Sequence, residues 1–282
     1  MLVVAPAAPS LLTVYGSHMH IEDTVVIGIS QSGKATDVIE VLEASRQLGA
    51  MTVALTNTAD SPIVQAAEFP LLTHAHEEKA VAATKTYTTA LTTLYQLAAC
   101  WAERTDLQEE IAQAPAAIEQ VFADLEPWIA DRSERYRYMN TCTILARGMN
   151  YATAKEIGLK LQETCYINPE PWSAADYMHG PIAALNPGDP VILIAPQGAS
   201  LASMLEVGAA VKERQAEMVV FSDDEAALAL ATVPMQLPPL GKSYWSPIVI
   251  AAAGQLFAYY LAVHKGLNPD QPRGLHKVTL TY

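Results

Sequence analysis

The sequence predicts an α/β protein made of two similar halves, each a parallel sheet with helices on both faces. Three observations carry that prediction. Short, apolar, β-branched runs alternate with segments of helical periodicity, a pattern that favours parallel strands joined by helical crossovers. The alternation occurs twice, over residues 24–55 and again over residues 190–221. Each half then carries a long later helix, over 84–104 and 247–265.

The elements follow in chain order. Residues 24–30, with Val25, Val26, Ile27 and Ile29, read as a buried strand, and Gln31 to Gly33 as its closing turn. Val38, Val41, Leu42 and Leu48 give a helix over 37–48, and 51–55 is the next strand, closed by Thr56-Asn57-Thr58. The Gln/Glu/Ala-rich stretch 106–131 is helical and joins the halves, with the boundary drawn between residues 1–126 and 127–282. A strand over 143–146 leads through the turn Arg147 to Asn150 into a charged helix. The Pro- and Trp-rich segment 168–178 reads as a loop. Strands at 190–195 and 218–221 then flank a helix at 201–214, the second strand being closed by Ser222-Asp223-Asp224.

Composition narrows the function. With 51% hydrophobic residues in 282, the chain can bury a substantial core. Its formal net charge of −13 argues against nucleic acid as a partner, because a polyanion needs a Lys/Arg footprint. An anionic ligand must therefore be held by local groups against the overall field. The apolar run 248–263 contains Gln255 and is too short to span a bilayer, so it reads as a buried helix and no membrane partner is expected. Cys100, Cys142 and Cys165 have no paired spacing, which points to free thiols and a cytoplasmic setting. The start has no basic n-region, and Pro6 and Pro9 interrupt it, so it does not read as a signal peptide.

Ser30-Gln31-Ser32-Gly33 is the chain's most informative tetrapeptide. It places two hydroxyls, an amide and unpaired N–H groups between a strand and a helix N-terminus, which suits a phosphate monoester. An ordinary polar strand-to-helix turn would look the same. The second half has Pro196-Gln197-Gly198 at the corresponding place and lacks the hydroxyls, so any phosphate grip belongs to the first half.

Glu156, Lys160 and Glu163 are spaced by four and three and so share one helix face. Alone, they describe a solvated surface pair worth about 0.3–0.5 kcal/mol. His179-Gly180-Pro181 and the C-terminal run Asp270-Gln271-Pro272-Arg273 to Lys277 add further polar chemistry. His18 with His20, and His74 with His76, could chelate a metal if each pair lay on a strand, but no firm third ligand accompanies them. No metal and no cofactor are expected.

In this order the motifs resemble the tandem sugar isomerase (SIS) domain family, nearest to the isomerase part of glucosamine-6-phosphate synthase and to glutaminase-free glucosamine-6-phosphate deaminases. The resemblance rests on Ser30 to Gly33, Val81 to Lys85, Glu156 with Lys160 and Glu163, His179 to Pro181, and Asp270 through Lys277. It implies two SIS-type three-layer α/β/α halves, the first beginning after the family's N-terminal βα unit. It further implies that Ser30, Gln31 and Ser32 hold a sugar phosphate, with Thr36 standing in beside Ala35, and that Val81, Thr84 and Glu156 lie along the sugar. Glu163 matches the carboxylate that moves a proton between C1 and C2, and Lys160 the residue that places charge beside it. His179 matches the ring-opening histidine, often delivered from a partner subunit, and Lys277 the lysine that forms an imine with the keto sugar. The expectation is a homodimeric, cytoplasmic enzyme of amino-sugar phosphates without a glutaminase domain. A phosphosugar aldose–ketose isomerase and a non-catalytic sugar-phosphate sensor are the alternatives.

Overall fold

The structure, a computed structural model, describes residues 4–16, 20–241 and 244–275. The chain divides after Thr93 into two compact units, the second ending at Gly274.

The first unit contains α1 (Ser10–Thr13), β1 (Val25–Ile29), α2 (Thr36–Gln47), β2 (Met51–Thr56), α3 (Pro62–Ala66), β3 (Phe69–Leu72) and the start of α4 (Lys85–Trp101). Its strands form a parallel sheet in the order β1-β2-β3. Leu42, Ala54 and Ile63 are fully buried where α2 and α3 cover the sheet. That packing needs glycine in β1, since a Cβ on Gly28 would come within 2.6 Å of the Leu42 side chain.

The second unit runs through α5 (Thr105–Ile111), α6 (Ala114–Gln120), a π-helical turn (Val121–Leu125) and α7 (Glu126–Ser133) before its sheet. Then come β4 (Thr141–Ala146), α8 (Asn150–Cys165), β5 (Asn168–Ser173), α9 (Ala174–Met178) and β6 (Pro190–Ile194). The unit closes with α10 (Leu201–Glu213), β7 (Glu217–Ser222), α11 (Glu225–Leu228), β8 (Val233–Gln236) and α12 (Ser246–His264). All five strands are parallel, in the order β5-β4-β6-β7-β8. Period-2 alternation splits their side chains between two helical layers. Leu145, Val191, Leu193, Met218 and Val220 pack with Met204, Val207 and Val211 of α10. Ile144 instead faces α8 beneath Gly158, and Phe221 meets Phe257 of α12 edge-on at 6.3 Å. The protein is thus α/β with parallel sheets, with three strands in one unit and five in the other among the described residues.

Three departures from the sequence reading have physical reasons. The helices between 105 and 133 belong to the second unit, where α6 and α7 pack on α12, whereas the reading split them at 126/127. Their apolar positions Ile111, Val121, Leu125 and Ile129 are buried, and α12 pins α7 through Tyr260 Oη donating to Glu126 (2.6 Å) and His264 Nε2 beside the Ala130 carbonyl (2.7 Å). The segment 168–178 is not a loop but β5 and α9. Pro169 and Pro171 hid the strand, yet β5 is an edge strand, where a missing N–H costs no ladder bond. His74 and His76 lie beyond β3, not on a strand, with left-handed φ of 51° and 56°.

Among the described residues, α12 is the one helix long and apolar enough to cross a membrane, and 72% of its apolar window is buried inside the unit. The three cysteines are free: Cys100 is exposed, while burial pushes Cys142 up to about 12 and Cys165 to about 11. Close helix approach sets the α8–α12 contact, because a Cβ on Gly254 would lie 2.3 Å from Cγ1 of the buried Ile157. Gly254→Ala should therefore overpack this layer and lower stability by about 1–3 kcal/mol, read as a lower urea midpoint at unchanged slope. An unchanged midpoint would show that Ile157 moves aside without cost.

Candidate functional site

The first unit presents the hydroxyl turn. β1 delivers Ser30 into it, with Ser30 N–H donating to the Leu55 carbonyl (3.1 Å), and Gly33 N–H closes it on the Ser30 carbonyl (3.1 Å). Gly33 has φ +66°, and a Cβ there would meet Ser61 Oγ at 2.1 Å, so both conformation and space demand glycine. Ser61 is itself held by donating to the Thr58 carbonyl (2.6 Å). Ser30 is buried, and Gln31 and Ser32 are half-buried. Among the described residues, the backbone N–H groups of Gln31 and Ser32 and the hydroxyls of Ser30 and Ser32 donate no hydrogen bond; Ser32 Oγ only accepts, from Lys34 N–H at 3.3 Å. The 12-residue α2 follows, with Ala35 as an N-cap that offers no side-chain acceptor. Four donors and an uncapped helix start are what an oxyanion requires. Thr36 opens that helix, while Asp37 turns its carboxylate to its own neighbour, Val38 N–H (2.9 Å).

The second unit shows why its own turn differs. There Asp223 accepts from Gln197 N–H (2.8 Å) and from Leu240 N–H (2.9 Å). A carboxylate thus fills the place a ligand oxyanion would take, and its charge repels one. At the corresponding position of the first unit stands neutral Asn57. The second unit does have a cleft of about 500 Å³ beyond the ends of β4 and β6, lined by Arg147, Asn150, Gln197, Ser200, Tyr244 and Ser246.

Val81 and Thr84 lie in the segment before α4, both half-buried. Sequence reasoning missed what shapes this segment. Glu78 is buried and accepts from Thr84 N–H (2.8 Å), Thr86 N–H (3.3 Å) and the Thr86 hydroxyl. It caps α4 from outside the helix. Asn57 was likewise missed: its N–H donates to the Gln31 carbonyl (3.1 Å) and its side chain to the His76 carbonyl (2.7 Å). Its Oδ1 accepts from Ala75 N–H (2.8 Å) and Thr73 Oγ1 (3.0 Å). These bonds hold His74 and His76 left-handed, at a cost of order 1–3 kcal/mol each. Both histidines are exposed, and no group of three His, Cys, Asp or Glu able to hold a metal occurs among the described residues. His18 lies outside them.

The charged row of α8 is where the sequence was most ambiguous. It is not solvated: Glu156 and Lys160 are buried, at 5% and 4% exposure. Lys160 Nζ donates to Glu163 Oε2 at 2.5 Å, and Gln255 Nε2 of α12 donates to Glu156 Oε1 at 2.9 Å. Glu163 keeps a quarter of its side chain accessible. Desolvating an ion pair rarely gains stability over an apolar packing, so a buried row with one exposed end fits a chemical task better than a structural one. His179 caps α9 and is exposed, its N–H donating to the Asp176 carbonyl (3.1 Å). Lys277 lies outside the described residues.

Comparison with known proteins accounts for the two-unit plan. The model of the SIS domain family matches residues 12–100 and 138–265. Glutamine–fructose-6-phosphate aminotransferase (isomerizing) of Aquifex aeolicus is 36% identical over 256 residues, covering 90% of this chain and 43% of that protein. The chain thus spans less than half the length of the curated relatives it matches. The C-terminal domain of glucosamine-fructose-6-phosphate aminotransferase from Francisella tularensis superposes with a TM-score of 0.80 at 25% identity, over 90% of this chain and 74% of that one. Glucosamine-6-phosphate deaminase from Thermotoga maritima shares the fold, with a TM-score of 0.78 at 18% identity over 97% and 81% of the two chains. The two matched segments, the first falling mostly in the first unit and the second within the second, establish that this chain belongs to the SIS domain family.

Proposed function

We propose that this chain is a phosphosugar enzyme that interconverts glucosamine 6-phosphate and fructose 6-phosphate plus ammonia. The observation that carries the reading is the set of four donors around Ser30, Gln31 and Ser32 that find no acceptor among the described residues, at a helix start without a side-chain cap. The buried Glu156–Lys160–Glu163 row supports it, as do the names of the relatives.

In this reading the turn holds the phosphate, helped by Thr36, and Val81, Thr84 and Glu156 bound the sugar. His179 moves the ring-opening proton between hydroxyl and ring oxygen. Glu163, its charge set by Lys160, takes the proton from C2 of the open-chain amino sugar and returns it at C1. The resulting C2 imine is hydrolysed by water, which releases ammonia and leaves the ketose. Lys277 forms an imine with the C2 carbonyl of fructose 6-phosphate, losing water. Because exposed His179 serves a neighbouring site here, the active species is a homodimer. Light scattering of the active enzyme should give twice the chain mass, and an active monomer would refute that.

Removing one donor should weaken phosphate recognition. Ser32→Ala is expected to lose about 1.5–3 kcal/mol, tenfold or more in fructose 6-phosphate affinity by calorimetry. Equal affinity would place the phosphate elsewhere.

The chemistry has its own test. Incubated with glucosamine 6-phosphate, the protein should release ammonia and fructose 6-phosphate in equal amounts, and exchange the substrate C2 proton with solvent. Glu163→Gln should abolish exchange while still allowing borohydride to trap a sugar on Lys277. Exchange without ammonia would identify an aldose–ketose isomerase, and binding with neither exchange nor adduct a sensor. Exchange at the parent rate in Glu163→Gln would remove the base from its role.

A further inference from the structure

We propose that Asn57 and Glu78 are positioning residues that hold the Val81–Thr84 segment at a fixed reach from the phosphate turn, so that the first unit selects phosphate carrying a sugar over phosphate alone. The inference rests on the function proposed above and adds to it the means by which the site measures its ligand.

The argument starts from the two ends of the segment. At one end, Asn57 N–H donates to the Gln31 carbonyl within the turn, and Thr56 Oγ1 donates to the same carbonyl at 3.3 Å. The Asn57 side chain then turns to the loop after β3. Its Nδ2 meets a carbonyl that can only accept, His76 O, and its Oδ1 meets an N–H that can only donate, Ala75 N. The amide therefore has one possible orientation, and neither partner would be satisfied by a flipped group. At the other end Glu78, two residues past His76, gathers the N–H groups of Thr84 and Thr86. Lys85 Nζ adds a third tie by donating to the Glu77 carbonyl at 2.7 Å.

A continuous path of hydrogen bonds thus runs from Gln31 through Asn57 to His76, and from Glu78 to Thr84. Loops do not adopt two left-handed non-glycine residues in three positions without such over-determination. A helix cap alone would need Glu78 and not Asn57. A simple tie between two strand ends would need Asn57 and not the buried carboxylate. Together they fix a distance, and distance is what separates a sugar phosphate from bare phosphate.

The test uses the full chain and two ligands, fructose 6-phosphate titrated directly and inorganic phosphate titrated in competition with it. Asn57→Ala and Glu78→Ala should each weaken fructose 6-phosphate binding roughly tenfold and leave phosphate within about twofold. Glu78→Gln, whose Oε1 still accepts both N–H groups, should return most of the loss. If the alanine variants bind both ligands as the parent does, or weaken both alike, the segment is not held for the sugar and the proposal fails. If Glu78→Gln binds as poorly as Glu78→Ala, the charge and not the geometry matters, and the proposal fails too. A parent that binds fructose 6-phosphate no better than phosphate would overturn this inference while leaving the phosphate turn in place. A parent that binds neither would overturn the functional reading and this one with it.

Discussion

Every strand pairing in both sheets is parallel, so each strand must be followed by a crossover and all carboxyl ends fall on one edge of their sheet. In the first unit this brings together Ser30 after β1, Asn57 after β2 and the 73–76 loop after β3, three segments that are distant in sequence. The polar chemistry of the unit is a consequence of that geometry. Residues that follow three consecutive strands can bond only because the strands point the same way. The glycines at 28 and 33 serve the same end, one letting α2 settle on β1 and the other letting the turn pass Ser61.

The two units repeat the plan and differ in charge at one place. A side-chain nitrogen in Asn57 faces a carbonyl, while the carboxylate of Asp223 accepts the N–H groups of Gln197 and Leu240. In the second turn the Gln197 N–H is satisfied from within the protein, whereas the Ser32 N–H at the matching place of the first is, among the described residues, left to give. An oxyanion would compete with Asp223 in one unit and would complete the hydrogen bonding in the other. This asymmetry, more than the hydroxyls themselves, separates the halves chemically.

Much of the fold was legible in the sequence because five strands are largely apolar runs: β1, β2, β4, β6 and β7 were each found within about two residues. The three strands missed, β3, β5 and β8, all contain proline and all lie at sheet edges. The signal that excludes a central strand is the same one that an edge strand tolerates. At the candidate site, the spacing of Glu156, Lys160 and Glu163 fixed a shared face but not whether the face was wet. Burial depends on α12, whose Gln255 lies 99 positions away. Asn57 and Glu78 gave no signal, since residue type alone does not tell which backbone groups a polar side chain will find once the chain has folded.

Gln255 has one more consequence, and it concerns the order of synthesis. It interrupts a 19-residue helix that is long and apolar enough to cross a membrane by length and composition alone. The chain is made from its N-terminus, so α7, β4, α8, β6 and β7 all emerge before α12 does. The apolar strip that α12 covers and the Glu156 carboxylate that receives its amide are therefore already outside the ribosome when the helix appears. A surface that would be hazardous as a free intermediate has its partner ready, and the polar residue in its middle fixes where along that partner it comes to rest.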